Sequence, residues 1–589
     1  VSANVRIVLV ADNEQLEEVV VVGYGTQKKA NLTGAVSSID VNDAVASRPV
    51  TDIAKALQGI SPGLIITNNL GGIGTESTIR LRGSIGSLNA TSGTSPLILV
   101  DGVEVPSLNL INPNDIESIS VLKDAASASI YGTRAAWGVI LITTKQGIEG
   151  TPRVSYSNNF AWNTPTNMPE LMSTVENAEF MLKIQERIDP DIKVVSSIGY
   201  SIDETAVNKL REWEGKYGGM SQSELGEMQL GRDFEIRDGK TFFYRSFDPI
   251  AEFTKKWTPQ QNHDFSIAGG SKNSTYNIGL GYLKQDGIMK INTDKYERYN
   301  ITSNTTTKIK DWWKVRTNIM FTRTNNSEPY RYTGGQYDAW FYLLRWPRWY
   351  PYATYEGKDF RSSVTDLKQA NRENTSTNYV RANIGTELNP IKNLSINLDY
   401  TFGLWNQYQK RNGGEVWGYD MFSAAPLEDY STLYSNSANR AVQTSRYTMS
   451  HIYKAYATYD LNIKENHNLR VMLGMDAETR ERLGHYSERR KLIEQSKPEI
   501  ALATGEQYVD GVAFNNDFAA AGFFGRINYD FMQKYLLEIN TRYDGSSKFP
   551  RGKKWALFPS ASAGWRISEE SFMNWSRSYL SNLKLRGSW

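Results

Sequence analysis

The sequence predicts an all-β transmembrane barrel with a compact α/β domain in front of it. After Arg153, many segments of about ten residues alternate apolar and polar residues, which is typical of barrel strands with one lipid face and one wet face. Short turns and long, polar, aromatic-rich insertions separate these segments. The 589 residues include 33 Tyr and 15 Trp but no run of 18 apolar residues, so the sequence predicts strands rather than membrane helices.

The charge balance and the rare residue types exclude several classes of function. Lys and Arg number 66 against 64 Asp and Glu, which gives no indication of nucleic-acid binding. There is no cysteine, so disulfides and cysteine metal sites are excluded. No histidine has a neighbour at metal-ligand spacing, and no carboxylate pair stands out as catalytic; the histidines are His263, His451, His467 and His485. We therefore predict no catalytic residue, metal or cofactor, and no enzyme.

Near the N-terminus, Val5–Val10 forms a predicted short strand that ends at Asp12. The sequence EEVVVVGYG follows at residues 17–25, and its four valines favour extended backbone. One interpretation is a buried strand of a small domain. The other is a tether that adds as an edge strand to a partner protein.

Residues 30–150 carry the pattern of a compact α/β unit. Thr51-Asp52 can cap a helix over residues 53–58, and strands are predicted at 64–67 and 97–100. Residues 114–145 then read as a strand, a helix of small residues, a glycine turn and a buried strand.

The barrel pattern is clearest in two segments after residue 151. Residues 394–402 (LSINLDYTF) and 469–476 (LRVMLGMD) alternate throughout their length. A soluble β-sandwich would also alternate, but it would not need Lys, Arg, Asp and Asn so evenly on one face of so many strands. We count about thirteen such strands. The first long insertion contains a helical pattern at Val175–Ile188.

The segment NDIESISVLKDAASASIYGTRAAWGVILITTK at 114–145 closely resembles the signature of the SusC/RagA-type TonB-dependent outer-membrane transporters. ALQGISPG, IRLRG and PLILVDG precede it in the order found in that family's plug domain. Residues 542–573 (RYDGSSKFPRGKKWALFPSASAGWRISEESFM) resemble the same family. Trp137 stands where the family pattern usually has Asn.

The resemblance implies a division into four parts. Residues 1–13 would be the tail of a β-sandwich extension, 14–29 the TonB box and linker, 30–150 the plug and 151–589 a partial barrel with long extracellular loops. The residues implied to bind TonB are Glu18, Val19, Val20, Val21 and Val22. The family's large plugged barrels have 22 strands, and the last predicted strand stops at Trp589. We therefore expect the sequence to be the N-terminal part of a longer transporter.

The resemblance also implies a function and partners. The protein would reside in the outer membrane of a Bacteroidetes-type bacterium and import nutrient oligomers with energy from the TonB-ExbB-ExbD complex. A SusD-like surface lipoprotein would capture the substrate with it. Oligosaccharide is the preferred substrate and peptide the alternative. A passive barrel receptor or adhesin and a soluble β-rich carbohydrate enzyme are the competing classes.

A dense aromatic cluster gives candidate substrate contacts. It spans residues 340–352 (WFYLLRWPRWYPY). Sugar rings could stack on these side chains, or the rings could pack a loop or form the interfacial girdle of the barrel. The candidate residues are Trp340, Trp346, Arg348, Trp349, Tyr350 and Trp417.

Overall fold

The computed structural model describes most of the chain. The described residues are 19–21, 23, 25–28, 31–40, 52–67, 72–82, 95–197, 199–330, 332, 344, 346–423, 425–434, 438–464, 466–510, 515–576, 579–580 and 582–589. The predicted β-sandwich tail at 1–13 and three candidate residues lie outside them; these are Glu18, Val22 and Trp340. Among the described residues, no helix combines the length and apolarity needed to cross a bilayer.

The N-terminal part is the α/β unit that the sequence predicts. In chain order it contains β1 (Val19–Val21), β2 (Thr26–Lys28), β3 (Val36–Asp40), α1 (Ile53–Leu57), β4 (Leu64–Thr67), β5 (Thr78–Leu81), β6 (Leu97–Val100), β7 (Val103–Glu104), β8 (Ile116–Leu122), α2 (Ala125–Ala128) and β9 (Val139–Thr144). Short 3-10 helices occur at Leu108–Leu110, Pro113–Asp115 and Ser129–Ala135. Asp52 caps α1 by accepting a 2.8 Å hydrogen bond from the backbone N–H of Ala54.

The plug is built on a five-stranded sheet with the order β3-β8-β9-β6-β7. Strands β6 and β9 run parallel, and β8 lies antiparallel to β9. Both faces of β9 are covered, since Ile140 and Ile142 join one hydrophobic cluster and Val139 and Leu141 join another. Burial on both faces explains why this strand is a continuous apolar run.

The wall begins with β10 (Gly150–Asn163), and a folded insertion follows. The insertion contains α3 (Thr174–Ile188), β11 (Val195–Ser197), β12 (Tyr200–Ile202), α4 (Glu204–Tyr217), α5 (Gln222–Leu225), β13 (Phe234–Arg237), β14 (Lys240–Phe243) and α6 (Pro249–Phe253). A capping box formed by Ser173 and Glu176 starts α3, which agrees with the helical pattern in the sequence.

The remaining elements form the rest of the described wall and its loops. They are β15 (Thr258–Gly270), β16 (Ser274–Asp286), β17 (Lys295–Lys310), β18 (Trp313–Pro329), α7 (Ser363–Gln369), β19 (Arg372–Leu388), β20 (Leu394–Asn412), β21 (Trp417–Tyr419), β22 (Tyr430–Thr432), β23 (Arg440–Ile463), β24 (His467–Arg490), β25 (Gln507–Asp510), β26 (Asn516–Phe531), β27 (Tyr535–Ser546), β28 (Trp555–Arg566) and β29 (Lys584–Ser588). Further 3-10 helices occur at Ile500–Leu502, Ile567–Glu569 and Ser571–Ser576.

These strands form one large antiparallel sheet. Fourteen described strands belong to it; β25 pairs with β24, and the other thirteen follow one another in chain order from β10 to β29. The outward face is apolar and exposed, as at Leu473 and Leu398, which are 65% and 43% accessible. The opposite face carries polar side chains such as Arg381 and Asn300, which are buried against the plug. The predicted fold of a barrel wall with an α/β plug is confirmed.

Candidate functional site

The valine segment near the N-terminus forms one strand of a two-stranded hairpin. Val19–Val21 pairs antiparallel with Thr26–Lys28, and within the described residues the second edge of Val19–Val21 pairs with no strand. Gly23, in the turn, has a φ of +66°, and a Cβ there would lie 3.0 Å from the Arg526 guanidinium and 3.1 Å from Ile130. Gly23 is therefore seated between a wall side chain and a plug side chain, and among the described strands one edge of Val19–Val21 is left without a neighbour.

The plug segment behind that turn is fixed to the wall. Arg542 donates a 2.9 Å hydrogen bond to the carbonyl of Ile130 and forms two further bonds of 2.9 and 2.8 Å to Asp476. Gly132 has a φ of +64°, and a Cβ there would lie 1.8 Å from the Asp544 carboxylate. Only glycine fits this contact, because both its backbone conformation and its surroundings exclude a side chain.

Four charged residues, which we call the charge cluster, join the plug to the wall. They are Glu104 and Arg134 of the plug and Glu478 and Arg480 of the wall. Arg134 pairs with Glu104 and, at 2.7 Å, with Glu478. Arg480 lies 2.6 Å from Glu478 and 3.3 Å from Glu104. Each acid therefore contacts both arginines, an arrangement that stabilises the docked plug through charge-assisted hydrogen bonds.

Polar wall side chains also donate hydrogen bonds to main-chain carbonyls of the plug. Asn300 and Thr322 donate hydrogen bonds of 2.9 and 2.7 Å to the carbonyl of Leu110. Arg381, which is 1% accessible, donates a 2.7 Å bond to the carbonyl of Val100. Water can replace a donor at each of these carbonyls, so breaking such contacts leaves no group permanently unsatisfied.

A buried carboxyl group lies at the same interface. Asp115 ends a 3-10 helix of the plug, and its side chain bonds to Thr302 of the wall. A Cβ on the wall residue Gly279 would lie 2.5 Å from Oδ1 of Asp115, so the two surfaces are in close contact. Burial, followed by the neighbouring Asp264 carboxylate, raises the pKa of Asp115 to about 6.

Plug docking is therefore expected to weaken as the pH rises. The docked plug holds the Asp115 proton more tightly than a free carboxyl, whose pKa is 3.8. The protonated Asp115 therefore stabilises docking fully below pH 3.8, and this stabilisation is lost as the pH rises through about 6. The shift from 3.8 to about 6 corresponds to about 3 kcal/mol of docking free energy. The Tm of the full-length protein in detergent should thus be higher at about pH 4.5 than at about pH 7.

Asp115→Asn should reduce this pH dependence, because the amide does not titrate. Glu117→Gln, which removes an exposed carboxyl two residues away, is the matched control and should keep it. An undiminished pH dependence in Asp115→Asn would assign the effect to other groups.

The aromatic candidates fall into a buried and an exposed set. Trp349 and Tyr350 are 0% accessible and pack in one hydrophobic cluster with the insertion residues Phe243 and Phe247. Trp346 stacks on Tyr350 with ring centroids 4.4 Å apart. The rings of Trp349 and Tyr350 thus pack their own loop against the insertion. Their contact with substrate stays a prediction.

The other two described candidates are Arg348 and Trp417. Arg348 donates a 2.8 Å hydrogen bond to the carbonyl of Phe247 and is partly buried. Trp417 is 42% accessible, lies 6.0 Å from the Tyr430 ring and donates a 3.2 Å bond to Glu415. Among the candidates that the structure describes, Trp417 thus has the most open surface.

Sequence reasoning missed the residues that hold the plug. Arg134 lies inside the signature segment, but its partners Glu104 and Glu478 were not singled out, nor was Arg480, which pairs with the same two acids. The alternation in β24 does place Glu478 and Arg480 on one face, yet it cannot identify the plug atoms that they meet. Within the described ranges, no group of three or more His, Asp or Glu residues is arranged to hold a metal ion.

Comparison with known proteins agrees with this architecture. Residues 28–139 match the family model of the TonB-dependent receptor plug domain. The chain is 30% identical over 617 residues to TonB-dependent receptor P26 of Formosa agariphila, covering 100% of this chain and 54% of that protein. It is 28% identical over 633 residues to TonB-dependent receptor SusC of Bacteroides thetaiotaomicron, with the same coverage. The chain thus spans about half the length of these relatives.

A solved structure supports the same assignment at the level of fold. The RagAB peptide importer in its open-open state superposes with a TM-score of 0.72 at 23% identity, covering 97% of this chain and 61% of that one. The plug fixed inside a strand wall, the plug-domain match and the similarity along the whole chain lead to one assignment. The chain belongs to the SusC/RagA-type family of TonB-dependent receptors.

Proposed function

We propose that the protein containing this chain imports nutrient oligomers, preferentially oligosaccharides, across the outer membrane with energy supplied through TonB. The position of the N-terminal hairpin supports this function. The turn of the N-terminal hairpin lies against Ile130, whose carbonyl is bonded to the wall residue Arg542. A pull on the hairpin therefore acts directly on a contact that keeps the plug in place.

The polar character of the interface makes such a pull effective. Once the Ile130 contact is broken, water can solvate the charge cluster and the exposed main-chain carbonyls. The plug can then rearrange and open a path along the polar face of the wall. TonB, within the TonB-ExbB-ExbD complex, would bind at Glu18–Val22 by adding a strand to the open edge of Val19–Val21.

The extracellular side would supply substrate capture. A SusD-like lipoprotein would cover the lumen, and the loop residues Trp417, Trp346 and Arg348 are the proposed substrate contacts. Trp340 belongs to the same proposal, while Trp349 and Tyr350 would act from beneath by holding the loop in position.

The test is uptake of a fluorescent oligosaccharide by cells that carry the full-length gene, a deletion or the complemented deletion. Uptake should require the gene and should stop when a protonophore or loss of TonB removes the energy source. Uptake that survives both treatments would favour a passive barrel receptor. A labelled oligopeptide in the same assay decides between the two substrate classes, and release of cleaved sugar would point to an enzyme.

A further inference from the structure

An open cavity of about 470 Å³ lies between the plug and the wall. Glu104 and Pro106 of the plug line one side. Trp405 and the buried Tyr379 of the wall line another, and Trp405 is itself half-buried against the plug core. The cavity therefore combines an aromatic surface with direct access to the plug.

The charged residues that line this cavity are mostly cationic. Arginines occupy three of the four charged positions, 446, 480 and 482, and Glu104 occupies the fourth. Arg480 already contacts Glu104 and Glu478. Arg482 is exposed and forms no ion pair among the residues that the structure describes. The residues that line the cavity thus carry a formal net charge of +2, from three arginines and one glutamate.

We propose that this cavity binds an anionic unit of the transported oligosaccharide, carrying a carboxylate or a sulfate ester. The inference rests on the proposed import function and deepens it by naming the substrate class. Arg446 and Arg482 hold the anion, because guanidinium groups pair with two oxygens of such groups at once. The Trp405 ring contacts the apolar face of the sugar.

The same site connects binding to the docked plug. Arg480 lines the cavity and also contacts Glu104 at 3.3 Å, the longest contact in the charge cluster. An anion that reaches Arg480 competes with Glu104 for the guanidinium. Glu104 then keeps only Arg134, which is on the plug as well, and one plug–wall ion pair is lost. Substrate occupancy therefore loosens the plug before any pull is applied.

Binding to the full-length protein in detergent tests the proposal by calorimetry. The probes are pentagalacturonate, a sulfated oligosaccharide, neutral maltopentaose and a penta-glutamate peptide. We expect one or both anionic sugars to bind, and maltopentaose to bind at least roughly tenfold more weakly, because charge-assisted hydrogen bonds distinguish the two classes. A higher salt concentration should weaken binding of the anionic sugars and leave binding of maltopentaose unchanged.

Arg482→Gln should weaken binding of the anionic sugar by roughly tenfold or more. Arg323→Gln is the matched control, because Arg323 is exposed and neighbours the plug-facing Thr322 on the opposite face of its strand. It removes the same charge and should leave binding unchanged. The ratio of the dissociation constants of the two anionic sugars decides whether the site prefers a carboxylate or a sulfate ester.

Several results would overturn the inference. Equal binding of maltopentaose and the anionic sugars, or no effect of Arg482→Gln, would remove the anion site. Tight binding of penta-glutamate without binding of either anionic sugar would replace the sugar by a peptide. If maltopentaose alone is taken up in a TonB-dependent way, the anion site is refuted but the proposed import function stands. If an anionic sugar binds through Arg482 but no sugar is taken up with TonB, the site stands and the proposed import function is refuted.

Discussion

Deleting Glu18–Val22 from the full-length protein is expected to reduce uptake to the level measured without TonB, while the protein still folds and reaches the membrane. The described part of this segment pairs only with Thr26–Lys28, in a sheet of two strands. Its loss breaks the backbone pairing of a three-residue strand in a two-stranded sheet, which is a marginal element, so the plug and the wall should still fold. Uptake of labelled oligosaccharide, normalised to the amount of protein in the outer membrane, measures the effect.

A single substitution tests whether the segment acts by adding a strand to TonB or only by being present. Val20→Pro removes a backbone donor and should abolish energised uptake, since proline cannot complete an added strand. Val20→Ile keeps the extended preference and should retain uptake. Normal uptake by the deletion at normal membrane levels would show that the segment is not the energy-coupled tether.

Gly132→Val in the full-length protein is expected to prevent the plug from docking tightly. The added Cβ would lie 1.8 Å from the Asp544 carboxylate and 2.9 Å from Nε of Arg542. The backbone at Gly132 (φ 64°, ψ −148°) is also one that residues with a side chain rarely adopt. Strain and steric overlap together should cost at least about 3 kcal/mol of docking free energy. Cells should become permeable to a large antibiotic such as vancomycin.

Two comparisons make this result specific. Gly215→Ala, in helix α4 of the insertion, adds a Cβ that meets nothing within 4 Å and should leave the barrier intact. Cells with the double variant Gly132→Ala and Asp544→Gly should be less permeable to vancomycin than cells with Gly132→Ala alone, because the carboxylate that overlaps the new Cβ is removed. An intact barrier in Gly132→Val would show that this contact does not hold the plug.

Local sequence pattern predicted the secondary elements of the plug closely. The strands predicted at 64–67 and 97–100 have those bounds, and the helix predicted at 53–58 spans Ile53–Leu57. Apolar runs bounded by turn residues and an aspartate at a helix start carry this information within a few residues of chain. The alternation after Arg153 likewise predicted strands with one polar face.

The aromatic segment shows where the same reasoning stops. Trp346, Trp349 and Trp417 look alike in sequence, as large rings in polar loops. Their accessibility differs because an insertion more than a hundred residues earlier in the chain covers Trp349, which joins its hydrophobic cluster. Composition identifies an aromatic loop, but the packing partner decides which rings remain open to a ligand.

Periodicity and signature residues were sufficient for the fold class, because each reflects the geometry of a few consecutive residues. The contacts that hold the plug depend on the tertiary structure. The bond from Arg542 to Ile130 joins residues 412 positions apart, and the pair of Arg134 with Glu478 joins residues 344 apart. Every inward polar residue of a wall strand has the same local pattern. Only the packing of the wall against the plug selects the few that meet a plug carbonyl or charge.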